Sequence, residues 1–211
     1  MNTEQRQCGV SYDLNVFTKG FRTNTFAAIK SKLLEMGLDC DFHPDAIKGP
    51  GLPSGFLPVR MKVLQPGTRQ YDEFAGDILT GFEMRTAPFD FAGEQMEGAK
   101  LRAPAKANFF QRLFAGPRKI EQPSSTIAEL LKSVDQNVSI SCGQKHASEL
   151  RIALYFAVAL ADVTSGVICD NYKGRYYDAR DAASHLAELV NEYERSLHPP
   201  AWKMQSFVGW H

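Results

Sequence analysis

Val138-Ser-Ile-Ser-Cys142, followed by Glu149-Leu-Arg-Ile-Ala-Leu-Tyr-Phe-Ala-Val-Ala-Leu-Ala-Asp-Val163 and then Gly166-Val-Ile-Cys-Asp170, is the stretch on which the fold turns. In the first segment Val138, Ile140 and Cys142 alternate with serines, the period of a strand with one buried face. The middle segment predicts a helix over 147–163 that is apolar nearly all round, so it must be covered on most of its sides. Gly166 is expected to end it, and Val167-Ile-Cys169 reads as a short buried strand. Asp178 then caps a last helix whose stripe is Ala182, Leu186, Leu189, Val190 and Tyr193. A β-α-β-α order built around a helix with no polar face places this region at the centre of the molecule.

Working outward, Asn171-Tyr-Lys-Gly174 is a turn, and Arg175-Tyr-Tyr177 pairs back across it as a hairpin. Upstream, Thr126-Ile-Ala-Glu129 has the form of a capping box opening a helix with Ile127, Leu130, Leu131 and Val134 on one side. Nearer the amino terminus, Val10, Tyr12, Leu14 and Val16 alternate as a strand. Phe26, Ile29, Leu33 and Met36 recur at helical spacing, with Thr23 or Asn24 as cap and Gly37 as stop. Strands follow at Leu38–Phe42, Leu57–Val63 and Ile78–Met84, with the Gly49–Gly55 run as a loop. From Ala87 to Pro123 the periodicity collapses. The expectation is an α+β fold, a mixed or antiparallel sheet with about four helices. Its parts are a β-α-β-β-β lobe over 1–98, an irregular basic connection over 99–123, and an α-β-α-β-α lobe over 124–211 with an aromatic tail. The two lobes can also merge into one compact domain.

Bulk properties narrow the classes. The chain has 211 residues, and its 24 basic and 24 acidic side chains cancel, so nothing global draws it to nucleic acid or anionic lipid. No apolar run approaches the ~20 residues of a bilayer span, and the amino terminus lacks the apolar core of a secretory signal. Cys8, Cys40, Cys142 and Cys169 have no CxxC spacing and read as reduced thiols. A cytoplasmic protein is expected. Phosphate-loop, dinucleotide-binding, nucleophile-elbow and zinc signatures are absent from the sequence, and no cofactor is expected.

Local patterns supply the candidates. Cys142 at a strand end, ahead of a helix start that lowers thiol pKa, forms a nucleophile candidate with His146 or His185. Set against this, Cys142 continues the inward face of Val138 and Ile140. Asp39, Asp41 and His43 share one strand face and are weak candidates for a divalent metal, with a charged edge strand as the plainer reading. Asp178, Asp181 and His185 line one side of the last helix, where capping already explains both aspartates. Residues 100–119 carry six basic side chains and no acidic ones. There Lys100, Arg102, Lys106 and Arg112 interleave with Phe109, Phe110 and Phe114, a composition suited to nucleic acid or a membrane surface. Trp202 and Trp210 give the tail more aromatic surface than a solvated end carries, so it should dock on the body or on a second copy.

The segment Ala159-Leu-Ala-Asp-Val-Thr-Ser-Gly-Val-Ile-Cys-Asp170 resembles one found in uncharacterised bacterial proteins, some of which look like immunity or accessory proteins of toxin-delivery systems. That resemblance implies a cytosolic factor that binds another protein and carries no catalytic residue across. A non-enzymatic protein-binding role is the leading expectation. A cysteine-dependent hydrolase or transferase, and nucleic-acid or membrane contact through 100–119, are the alternatives.

Overall fold

The computed structural model describes residues 11–20, 24–49, 53–64, 71, 74, 76–91, 121–143, 146–197 and 204–210. Their elements run β1 (Ser11–Thr18), α1 (Thr25–Glu35), β2 (Leu38–Phe42), a 3-10 turn (Pro44–Ile47), β3 (Gly55–Val63) and β4 (Ile78–Pro88). Then come α2 (Ser125–Lys132), β5 (Gln136–Gly143), α3 (Ala147–Thr164), β6 (Val167–Asp170), β7 (Arg175–Asp178), α4 (Ala179–Ser196) and β8 (Gln205–Ser206). The fold is α+β. Among the described residues eight strands form one sheet in the order β2-β3-β4-β5-β1-β6-β7, with β8 on β4, and every neighbouring pair is antiparallel.

Strand alternation sorts the side chains into two layers. Leu14 and Val16 of β1, Cys40 of β2, Val59 of β3, Met84 of β4 and Ile140 of β5 join α1, α3 and α4 in the main core. Phe17, Val167 and Cys169 point the other way, against Leu131 and Val134 in and just after α2. Successive strand residues face opposite sides, so α2 covers the back of the sheet. α3 lies at the centre of the front layer, and every residue from Ala147 to Ala161 is buried apart from the partly exposed Glu149. β4 pairs with β5 from Glu83 to Pro88, which carries the sheet without interruption from the first stretch of strands into the second. The strand therefore extends through Pro88, beyond Met84 where the alternation of large apolar residues stops. Backbone pairing with Asn137 and Gln136 sustains it there.

One charged residue sits inside that apolar helix. Arg151 is fully buried, and its Nε and Nη2 donate to Oε1 and Oε2 of Glu194 on α4 at 2.8 and 2.6 Å. The Tyr71 hydroxyl donates to the same Glu194 Oε1 at 2.8 Å, and the guanidinium lies 5.2 Å from the centre of the Tyr71 ring. A bidentate pair that engages both carboxylate oxygens, with a third donor on Oε1, is the arrangement that makes a buried charge tolerable.

Local signals correct two helix ends. α2 is capped by Ser124, whose hydroxyl accepts from the amide of Ile127, so the start lies two residues before the Thr126 position. Glu129 is engaged with Lys132 instead of reaching back to an amide. At the end of α3 the left-handed residue is Ser165, at φ 51°, and not Gly166. Gly166 is required for another reason: a Cβ there would lie 2.4 Å from the carbonyl oxygen of Phe17 on β1. Asp178 caps α4 as expected, accepting from the amide of Asp181 at 2.9 Å. No helix among the described residues is long and apolar enough to cross a membrane.

Candidate functional site

The site lies where β5 leaves β4. Beyond Gly143 the chain enters α3, and the vacated edge of β4 is taken up by β8 at Ile78 and Leu79. Between these two partners, at Thr80 and Gly81, a cleft of about 360 Å3 opens against the start of α3. Its walls are His43, Phe56, Pro58, Leu79, Thr80 and Gly81 from the sheet, His146, Ser148 and Glu149 from α3, and Gln205, Gly209 and Trp210 from the tail.

Each wall has a local cause. Pro58 lacks the amide that would pair with His43, so the β2–β3 ladder ends on one bond, His43 N–H to Pro58 O at 3.1 Å. The freed His43 carbonyl accepts from Ala46 and starts the 3-10 turn. His43 Nδ1 accepts from the Asp45 amide at 3.2 Å, which leaves Nε2 as the protonated donor of the neutral ring. Gly81 has no side chain because a Cβ would sit 2.5 Å from both the Leu57 carbonyl oxygen and the Phe56 ring. Phe56 can therefore lie across β4, yet it remains 59 % exposed.

The tail completes the cleft. Phe207 donates its amide to Asp77 O at 2.9 Å, and Arg60 lies 5.9 Å over the Phe207 ring while pairing with Asp77 and Asp41. Trp210 packs edge-on against Phe207 and His43, with ring centres 4.9 and 4.8 Å apart. The aromatic tail thus docks on the chain's own body.

No family model, curated protein or solved structure matches this chain.

The candidate residues read from the sequence separate accordingly. His43, His146 and Trp210, chosen on three unrelated grounds, meet in the cleft. His146 lies 3.9 Å from Glu149 across the first turn of α3. Cys142 is 4 % exposed, and its Sγ approaches the Tyr12 carbonyl oxygen at 3.8 Å. Burial, followed by the nearby charges of Glu149 and Asp13, pushes its thiol pKa well up, which is unfavourable for a nucleophile. His185 stacks on Tyr177 and points Nε2 toward Asp170 Oδ2 at 3.7 Å. Asp170 itself accepts from the Tyr12 hydroxyl at 2.7 Å and from the amides of Tyr172 and Lys173. Burial first, then Asp170, raises the Tyr12 phenol pKa, so this group is a structural anchor for the β6–β7 hairpin.

Asp41 is held by Lys30 and Arg60, and among the described residues no group of three or more His, Cys, Asp or Glu side chains is placed to hold a metal ion. Lys100, Arg102, Lys106, Phe109, Phe110, Arg112, Phe114 and Trp202 lie outside the described residues. Sequence reasoning missed Phe56, Thr80, Ser148 and Glu149. The available signal was Gly81, a glycine inside a strand pattern that marks a close approach by another group.

Proposed function

We propose that this chain is a non-enzymatic protein-binding protein whose recognition surface is the cleft between the β4 edge, the start of α3 and the tail. The observation that carries this reading is the exposed aromatic lip: Phe56 is held 59 % exposed by the backbone around Gly81, beside a tail where Val208 is 83 % exposed. Large apolar side chains fixed in water beside a concave surface are the usual makings of an interface anchor. The buried, protonated Cys142 and the fully engaged Asp170 weigh toward binding and against chemistry at those positions. In its finer form, drawn from the Ala159–Asp170 resemblance, the partner is a toxin that this chain neutralises.

The test is capture of a partner on the tagged chain in its native cells, followed by reconstitution from purified components. A complex of defined stoichiometry, weakened at least tenfold by Phe56→Ser or Trp210→Ala, is expected. A chain that remains alone, or a complex indifferent to both substitutions, removes the reading. For the finer form, co-production of this chain should abolish the toxicity of the captured partner.

A further inference from the structure

Glu149 is the only carboxylate among the described walls of the cleft, and no lysine or arginine lines it. It sits in the first turn of α3, its side chain 27 % exposed and its Oε1 3.9 Å from His146 Nε2. β5 pairs with β4 only from Glu83 onward, and α3 begins just past the end of β5, which brings this carboxylate to the gap beside Gly81. The walls in front of the gap are apolar. Phe56 and Pro58 alternate with the buried Leu57 and Val59, and Leu79 alternates with the buried Ile78 and Thr80. All three therefore stand on the sheet face away from the main core. His43, which follows the buried Phe42, holds the Trp210 ring on that same side.

Charge and shape together select the ligand. An anion would meet Glu149 and the negative faces of two aromatic rings, with no side-chain cation among the walls to offset them. The free amides at the start of α3 contribute about half an elementary charge, less than the full charge of the carboxylate. A cation is attracted by the carboxylate and by the rings alike. The ammonium of lysine is compact and strongly hydrated, and it would give up that water against Phe56, Pro58 and Leu79. A guanidinium is flat and weakly hydrated, stacks on aromatic rings, and meets a carboxylate through two parallel N–H···O bonds. A carboxylate offers about four lone-pair sites, so Glu149 can keep His146 beside it and still accept such a fork. The apolar stem of arginine matches Pro58 and Leu79, and arginine is one of the residues that most often anchor protein interfaces.

We propose that the cleft receives an arginine side chain of the partner protein, its stem and guanidinium taken up between Phe56 and Trp210 and its charge paired with Glu149; the partner rests on the protein-binding reading above. The test uses the full chain with N-acetyl-argininamide, N-acetyl-lysinamide and the neutral isostere N-acetyl-citrullinamide as probes, followed through the imidazole resonances of His43 and His146. The arginine compound should bind saturably and about tenfold more tightly than the citrulline compound, the size of one charge-assisted hydrogen bond. The lysine compound should be weaker than the arginine one. Glu149→Gln keeps the size and helix position of the side chain, and it should erase the difference between arginine and citrulline while leaving citrulline binding as it was. Equal affinities for arginine and citrulline in the unsubstituted chain, no saturation with the arginine compound, lysine binding as tight as arginine, or a preference that survives Glu149→Gln would each overturn the assignment. None of these results would touch the partner-capture test, so the two failures are distinguishable.

Discussion

Arg151 and Glu194 leave water together, and each is tolerable only because the other is there. Glu194→Gln strands the guanidinium inside the main core and should cost about 3–5 kcal/mol in urea denaturation, whereas the double change Arg151→Met with Glu194→Leu should return most of that loss. A single-variant cost under about 1 kcal/mol would mean water reaches the pair. The thiols make a second case. Burial pushes Cys40 up to about 12 and Cys142 higher still, and both are buried, so neither should react with a thiol reagent at pH 8 until the chain unfolds. Rapid native labelling of Cys142 would reopen the nucleophile assignment. Asp41 behaves in the opposite sense. Hydrogen bonding from Lys30, with Arg60 beside it, holds its carboxyl below the ordinary value of about 3.9, so its contribution is present above that pH and is lost as pH falls through the depressed value. The group is partly solvated, so Asp41→Asn should reduce the stability difference between neutral and acid pH by no more than about 1 kcal/mol.

At the scale of elements, helix ends offer the cleanest contrasts. Ser165 occupies the left-handed region, so Ser165→Gly should gain up to about 1 kcal/mol, the larger unfolded-state entropy of glycine offsetting part of the relief. Its neighbour behaves oppositely: Gly166→Ala places a Cβ against the Phe17 carbonyl and should lower the thermal midpoint clearly. If both substitutions had the same sign, the β1–β6 approach would be looser than described. Most elements were legible from periodicity, because a strand with one wet face and a helix with one wet face leave regular marks. The end of β4 was not, since Thr86, Ala87 and Pro88 carry no alternating apolar signal. Ser124 was passed over because the Thr126–Glu129 spacing also fits a capping box, and only geometry shows which hydroxyl reaches an amide.

For the whole molecule, the β4–β5 pairing decides how the chain unfolds. One sheet runs under α1, α3 and α4, so fluorescence and far-UV circular dichroism should report a single coincident transition in urea. Two separated transitions would mean that the strand groups are energetically independent. Long-range placement is also where sequence reading stopped. Nothing in local spacing brings His43, His146 and Trp210 together, because their meeting depends on strand order and on a register fixed more than 120 residues apart, Ile78 with Ser206. The buried partner of Arg151 was hidden for the same reason, since one cation in an apolar helix does not disclose a carboxylate on another. The β4–β8 register also orders events in time. Ile78 and Ser206 lie 128 residues apart, so the tail wall of the cleft forms only after both segments have been synthesised. A chain still being synthesised lacks that wall, and any binding that depends on Trp210 has to wait for it.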